Sequence, residues 1–285
     1  MIRKESMYPL VTVAIPFSRN LTPDWVTAWT SMWMQPPHNA MVDFRRTINA
    51  PRDEARDHLS QGALERKSKF CQMIDDDVTV PGYIIRKLLY AFQNQPPDVG
   101  VIAGIYCSKT VPAIPLVFQK SCEGAFYEWK LEEVFECEVV PTGMMMFRTE
   151  MLEKISKPWF KDLSGVKEAK MHGIIPGDVE MDDFTINDDG YFCHKVREAG
   201  YRVMAHGGVL GIHWDTKGTA YLLPDNAYPI RMEMEKRYGN MSKKSDAERI
   251  AAYKAIVSEY YGHADLLFPN ELEEAQCITT PTQTK

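Results

Sequence analysis

No two cysteines stand at CxxC spacing: the six, at 71, 107, 122, 137, 193 and 277, are scattered. Neither a zinc ribbon nor a disulfide framework is indicated, and Cys71 and Cys193, in apolar surroundings, read as small core residues. Glycine-rich phosphate cradles are missing too, since no Gly-x-Gly-x-x-Gly or Walker-type loop occurs. No apolar run approaches the ~20 residues that cross a bilayer. The start, Met1-Ile2-Arg3-Lys4-Glu5, lacks a signal-peptide core, so the expectation is a cytoplasmic protein with no membrane span. Positive charge is in short supply: 33 Lys and Arg stand against 39 Asp and Glu, a net −6. That balance argues against non-specific nucleic-acid binding by the whole surface. Only Arg231 to Lys254 leans basic, with seven Lys or Arg against four Asp or Glu, the pattern of a solvated helix face. Repeats and low-complexity tracts are absent.

The 285 residues suffice for one elaborated domain with a large core. The chain is organised around Phe70-Cys71-Gln72-Met73-Ile74, an apolar run that ends in Asp75-Asp76-Asp77. Thr79-Val80-Pro81-Gly82 follow, then a helical pattern from Tyr83 to Phe92. A buried strand would deliver three acids to its C-terminal end, the edge where ligands bind in open α/β sheets. Adjacent carboxylates repel, and a hard cation would neutralise them. An EF-hand is excluded, because counting Asp75 as position one puts Val80 where that loop needs Gly and Arg86 where it needs Glu. The alternative is an Asp-rich turn that only solvates the strand end.

Leu10 to Pro16 reads as a first strand, Pro23 to Met34 as a helix, Ala40 to Phe44 as a second strand, and Pro51 to Leu64 as a helix with Asp53 and Glu54 near its N-terminus. Asp98 to Gly104 is a further buried strand. The alternation predicts an α/β fold with a mostly parallel central sheet flanked by helices. Ile114–Phe118, Gly124–Leu131 and Cys137–Phe147 read as a small antiparallel insertion. Met144, Met145 and Met146 read as core, while Gly143 marks either a bulge or a close backbone approach to a ligand. An acidic loop from Gly173 to Asp189 leads into a short helix stopped by Gly200. Strands at 201–205 and 209–214 follow, the second ending in His213-Trp214. Ser245-Asp246-Ala247-Glu248 is a capping box before a helix to Tyr261. Residues 1–215 are expected to form the main domain, 216–268 a lid and helical extension, and 269–285 a loose tail.

The order of motifs resembles that of GT-A fold, family 2-like glycosyltransferases. Val13-Ala14-Ile15-Pro16 is similar to that family's opening strand, Ala55-Arg56-Asp57 to its Ala-Arg-Asn element, and Asp75-Asp76-Asp77 to its Asp-x-Asp motif. Thr142-Gly143-Met144-Met145-Met146-Phe147-Arg148 resembles the strand behind the donor site. Asn187-Asp188-Asp189-Gly190-Tyr191-Phe192-Cys193, with Glu198-Ala199-Gly200-Tyr201, resembles the Glu-Asp-x-x-Phe-Cys stretch and the Ala-Gly-Tyr after it. Gly211-Ile212-His213 resembles the closing Gly-x-His. Two departures stand out: Asp188 replaces the usual Glu, and Ser156 to Asp183 is longer than a minimal member needs.

The resemblance implies a Rossmann-like GT-A sheet and a metal-dependent transfer of sugar from a nucleotide-sugar, UDP-linked in most such enzymes, to an acceptor hydroxyl. It implies donor-binding roles for Pro16, Arg19, Arg56, Asp75, Asp76 and Gly143. It also places Asp189 as the general base of an inverting displacement, with Asp188 orienting the acceptor; the alternative is that both only cap a helix. The leaving diphosphate needs electrostatic stabilisation, which a divalent ion supplies. Asp77 is the expected direct ligand, with Asp75, one strand period away on the same side, contacting the ribose or the metal's water shell, and His213 completing the metal set. Mixed oxygen and imidazole donors suit Mn²⁺, with Mg²⁺ the other candidate. A structural histidine is the alternative at 213.

Asp215 to Leu223 reads as a lid hinged at Gly218, with Lys217 reaching the diphosphate. Arg231, Lys236, Arg237, Lys243 and Lys244 would then lie near the acceptor entrance. The acceptor itself stays open among a glycan, a protein and a hydroxylated nucleic-acid base. Rival readings are a sugar nucleotidyltransferase, which carries a Gly-rich basic signature where this chain has Phe17-Ser18-Arg19-Asn20, and a non-catalytic nucleotide-sugar or glycan-binding module, which would lack the acid at 189.

Overall fold

The central strands are buried on both sides, as a sheet covered by helices requires, while the edge strand at Met41–Ile48 is partly exposed. The structure is a computed structural model and describes residues 8–18, 21, 23–34, 40–120, 123–174 and 186–261. The first half runs β1 (Leu10–Phe17), α1 (Pro23–Met34), β2 (Met41–Ile48), α2 (Arg52–Glu65), β3 (Phe70–Met73), β4 (Val78–Thr79), α3 (Ile84–Gln93) and β5 (Val99–Ile105). Then come β6 (Val134–Cys137), β7 (Met145–Arg148), α4 (Val166–Met171), α5 (Asp188–Glu198), β8 (Arg202–Leu210), β9 (Ile212–Trp214), β10 (Ala220–Tyr221), α6 (Tyr228–Tyr238) and α7 (Asp246–Tyr261).

Seven strands make one sheet in the order β2-β1-β3-β7-β5-β8-β6. β1 is parallel to β2 and β3, and β5 to β8, whereas β7 runs against β3 and β5, and β6 against β8. Five strands therefore point one way and two the other, which is the expected mostly parallel sheet. Alternation along each strand divides the core between the two faces. Ala14, Cys71, Met73, Val101 and Ala103 pack on one face with Leu59 and Ala63 of α2 and Phe192 and Val196 of α5. Val11, Val13, Ile15, Phe70 and Ile102 pack on the other with Trp25 of α1 and Leu88 of α3. The C-terminal helices share the first of these cores through Ile230, Met234, Tyr253 and Ile256.

The antiparallel part is built differently from the expectation. Residues 114–118 contribute only isolated bridges, Cys107 with Pro115 and Phe118 with Val139, and 124–131 form no strand, while β6 and β7 join the central sheet. Pro141 cannot donate a ladder hydrogen bond, and a 3₁₀ turn at Thr142–Met144 divides the anticipated 137–147 strand. The small antiparallel sheet is instead β10-β9-β4. It forms because β8 continues unbroken to Leu210 and the chain turns at Gly211, sending Ile212–Trp214 to pair with β4 just beyond the acidic loop. The capping box of α7 is present, with Ser245 N–H donating to Glu248 at 2.9 Å and Glu248 N–H to Ser245 Oγ at 3.4 Å. Among the described residues no helix is long and apolar enough to cross a membrane. The proposed tail at 269–285 lies outside the described residues.

Candidate active site

The acidic triplet does not continue the strand. β3 ends at Met73, and a turn at Asp76–Asp77 replaces extended backbone. The two-residue period that would put Asp75 and Asp77 on one side therefore no longer applies. Each carboxylate finds a different partner. Asp75 turns to Arg56, Asp76 to the loop after β1, and Asp77 to His213 and Lys109. Asp76 accepts the Ser18 N–H at 2.6 Å and the Ser18 hydroxyl at 3.2 Å, which ties two strand ends together. The indole N–H of Trp25 donates to the Asp75 carbonyl at 3.0 Å and fixes the turn from the other side.

Arg56 is the hub. It sits on the buried face of α2, with its side chain 2% exposed. Nη2 donates to both oxygens of Asp75 at 2.8 and 2.7 Å. Nη1 donates to Asp188 Oδ2 and, at 2.9 Å, to Asp189 Oδ1. The next residue, Asp57, accepts the backbone N–H groups of Trp159 and Phe160, both at 2.9 Å, so half of the Ala-Arg-Asp element organises the 157–160 loop. Burial alone would lower the Arg56 pKa, but Asp188, Asp75 and Asp189 hold it well above the ordinary value. The guanidinium is a permanent cation that no proton equilibrium removes.

Asp188 and Asp189 start α5, but neither is its cap. Asn187 is, its side-chain oxygen accepting from Gly190 N–H at 3.2 Å. Asp188 is fully buried, with Arg52 Nε 3.1 Å from an oxygen that has no hydrogen bond of its own. Burial pushes its pKa up to about 6, a rise that Arg56 opposes and the Asp189 charge reinforces. Asp189 faces the cavity. Its Oδ1 accepts from Arg56 and from the Thr142 hydroxyl, while among the described residues Oδ2 accepts only the Asn187 amide at 3.2 Å. One oxygen is thus firmly held and the other lightly.

On the far wall, His213 Nδ1 lies 2.7 Å from the Cys107 carbonyl and Nε2 lies 3.3 Å from Asp77 Oδ2. A carbonyl only accepts, so Nδ1 carries a proton, and Nε2 is the ring nitrogen turned toward Asp77. The Lys109 ammonium donates to that same oxygen. Burial would raise the Asp77 carboxyl, but hydrogen bonds and charge from His213 and Lys109 hold it well below the usual range. An imidazole oriented by a backbone carbonyl and facing a carboxylate is a donor pair suited to a divalent ion. Asp75 is engaged differently, with Arg56 donating to both its oxygens. Among the described residues no group of three His, Cys, Asp or Glu side chains is arranged to hold a metal.

These groups surround one cavity of about 450 Å³ whose lining includes Pro16, Arg56, Asp75, Asp76, Asp77, Asp189 and His213. Asp188 and Gly143 lie behind its wall. A Cβ on Gly143 would stand 2.5 Å from the Tyr106 hydroxyl and 2.9 Å from Asp75 Oδ2, so the glycine is required by protein neighbours. Lys217 is not brought to the cavity; it stands in a turn closed by Asp215, whose carboxylate accepts from the backbone of Lys217 and Thr219, both at 2.8 Å. Gly218 there has φ of +85°, a left-handed position that explains the glycine without a hinge. Of the basic residues placed near an acceptor, Arg231, Lys236, Arg237 and Lys244 are ion-paired with Glu128, Glu233, Glu259 or Glu248. Arg19 lies outside the described residues.

Arg52, Tyr106, Ser108, Lys109 and Asn187 also line the cavity, and none was singled out from sequence. Tyr106, Ser108 and Lys109 follow the C-terminal end of β5, so the rule that ligands gather at that edge of the sheet would have found them.

No protein-family model matches the chain, and no curated protein matches it. Among solved structures, that of A197 from STIV is similar at 17% identity, with 75% of this chain and 94% of that chain covered and a TM-score of 0.48. The structure of GalNAc-T7 with UDP, GalNAc and Mn²⁺ is similar at 11% identity over 90% of this chain, with a TM-score of 0.41, and this chain spans half of that one. A glycosyltransferase involved in the glycosylation of the major capsid of PBCV-1 is similar at 13% identity over 53% of this chain and 69% of that one, with a TM-score of 0.29. With five strands aligned, acids at their C-terminal edge and helices on both faces, this chain has a mixed α/β fold built on a mostly parallel sheet.

Proposed function

We propose that the protein is a metal-dependent glycosyltransferase that moves a sugar from a nucleotide-sugar, UDP-linked by preference, to an acceptor hydroxyl with inversion. The observation that carries this reading is the pairing, within one cavity, of a carboxylate–imidazole couple with a separate, lightly held carboxylate: Asp77 with His213, and Asp189. The first suits a diphosphate with its counter-ion, and the second suits a proton acceptor.

Asp77 and His213 would hold a divalent ion, Mn²⁺ or Mg²⁺, with donor phosphate oxygens and water completing its coordination. Bound there, it supplies Lewis-acid neutralisation of the charge that develops on the leaving diphosphate. Pro16, Phe17 and Leu116 give the cavity an apolar flank for the nucleoside. Asp76, through Ser18, fixes that flank relative to the acidic turn.

The acceptor oxygen forms its bond to the anomeric carbon as the bond from that carbon to the diphosphate breaks. Its proton passes to Asp189 Oδ2, the oxygen that Arg56 and Thr142 leave accessible. Arg56 acts by position, holding Asp189 and Asp75 in one frame.

The test is a panel of nucleotide-sugars assayed for hydrolysis and transfer with Mn²⁺, in the wild type and in Asp77→Asn. Activity on at least one donor, lost in the variant and on chelation, supports the reading. Turnover of a sugar-1-phosphate with a nucleoside triphosphate in place of donor transfer would assign the nucleotidyltransferase class instead.

A further inference from the structure

Lys109 stands in a loop whose backbone is pinned. Ser108 N–H donates to the Ile114 carbonyl at 2.8 Å, Ile114 N–H to Ser108 Oγ at 3.1 Å, and Leu116 N–H to the Tyr106 carbonyl at 2.9 Å. Its Cα is held while its four-carbon stem stays free to change rotamer, and the side chain lies partly open on the cavity wall. The ammonium rests on Asp77 Oδ2, the oxygen that His213 Nε2 approaches at 3.3 Å.

Three groups thus converge on one oxygen. A carboxylate this far from solvent needs positive charge beside it, and Lys109 supplies that charge. A divalent ion at this place needs the same carboxylate oxygen and the same nitrogen lone pair. An ammonium has no lone pair with which to bind a metal, and its charge repels one. The two cations therefore exclude each other at Asp77. Once displaced, the ammonium stays within the length of its stem of the cavity that Lys109 lines.

We infer that Lys109 is a tethered counter-cation that occupies the metal position on Asp77, is displaced when a divalent ion binds, and then contacts the diphosphate of the donor. This rests on the glycosyltransferase reading of the cavity and adds to it an ordering device. Metal alone must evict Lys109 without compensation, whereas metal with a nucleoside diphosphate gives the displaced ammonium a new anionic partner. Metal and donor product then bind with positive coupling, and each is weak without the other.

Calorimetric titration of Mn²⁺, with and without UDP, into the wild type, Lys109→Met, Lys109→Arg and Asp77→Asn decides this. Without UDP, Lys109→Met should bind Mn²⁺ roughly tenfold more tightly than the wild type, and UDP, whose phosphate oxygens ligate the ion in both, should strengthen Mn²⁺ binding by roughly tenfold more in the wild type than in Lys109→Met. Lys109→Arg, which keeps the charge, should retain most of the coupling. Mn²⁺ binding that is abolished by Asp77→Asn but equal in Lys109→Met and wild type, or full coupling in Lys109→Met, overturns the role of Lys109 and leaves the glycosyltransferase reading standing. No Mn²⁺ binding to the wild type, even with UDP, overturns both.

Discussion

The guanidinium of Arg56, on helix α2, donates to both carboxylate oxygens of Asp75 at 2.8 and 2.7 Å across 19 residues of chain. Through its other nitrogen it reaches Asp188 and Asp189 at the start of α5. One planar group thus sets the distance between the acidic turn and the candidate base.

Removal of that group strands three carboxylates in a buried setting. Arg56→Met is expected to cost about 3–5 kcal/mol of stability, the range for breaking a buried charge network from one side. Arg56→Lys should recover part of this loss, since it restores the charge but not the fork. Urea denaturation measures both; a loss under about 1 kcal/mol for the Met variant would mean that the network behaves like a screened surface pair.

Asp189→Asn keeps the shape of the side chain and its place in the first turn of α5 but removes basicity. Turnover should fall roughly 10²- to 10⁴-fold while UDP affinity stays where it was. Steady-state kinetics beside calorimetry separate the two effects. Near-wild-type turnover would reduce Asp189 to a structural acceptor for Arg56 and Thr142.

Asp188 gives a pH signature. Its folded pKa of about 6 lies above the ordinary carboxylate value, so the folded protein holds this proton more tightly than the unfolded chain. The stability it contributes is full below the unfolded pKa and is lost as pH rises through the folded one. Arg52, Arg56 and Asp189 are the charges that face it. The melting temperature of Asp188→Asn relative to wild type should therefore climb between about pH 4 and pH 7 and then level off. A flat difference across that interval would place the Asp188 proton elsewhere.

Gly143→Ala forces a methyl against the Tyr106 hydroxyl and Asp75, both closer than real Cβ contacts allow. Destabilisation of about 1–3 kcal/mol is expected from the overpacking, together with weaker donor binding as Asp75 shifts. Thermal melts and UDP titration report the two; an unchanged variant would show that Tyr106 can step aside freely.

Local chemistry was legible in the residues themselves. An apolar run ending in acids made a strand with a charged end, and Ser245 and Glu248 made a capping box, because each depends on neighbours within a few positions. Asp77 and His213 were legible as polar groups at strand ends, whereas Arg56 and Asp189 were marked only by the resemblance of their motifs to the family. Tertiary structure alone decided which of them meet. Past Met73 the strand period no longer directs side chains, so the turn and its distant partners sent Asp75 to Arg56 and Asp77 to His213. The link from Arg56 to Asp188 spans 132 residues, and that from Lys109 to Asp77 spans 32. Contacts at such range leave no periodic trace in the chain, because they arise only when separate strand ends are brought to one edge of a sheet.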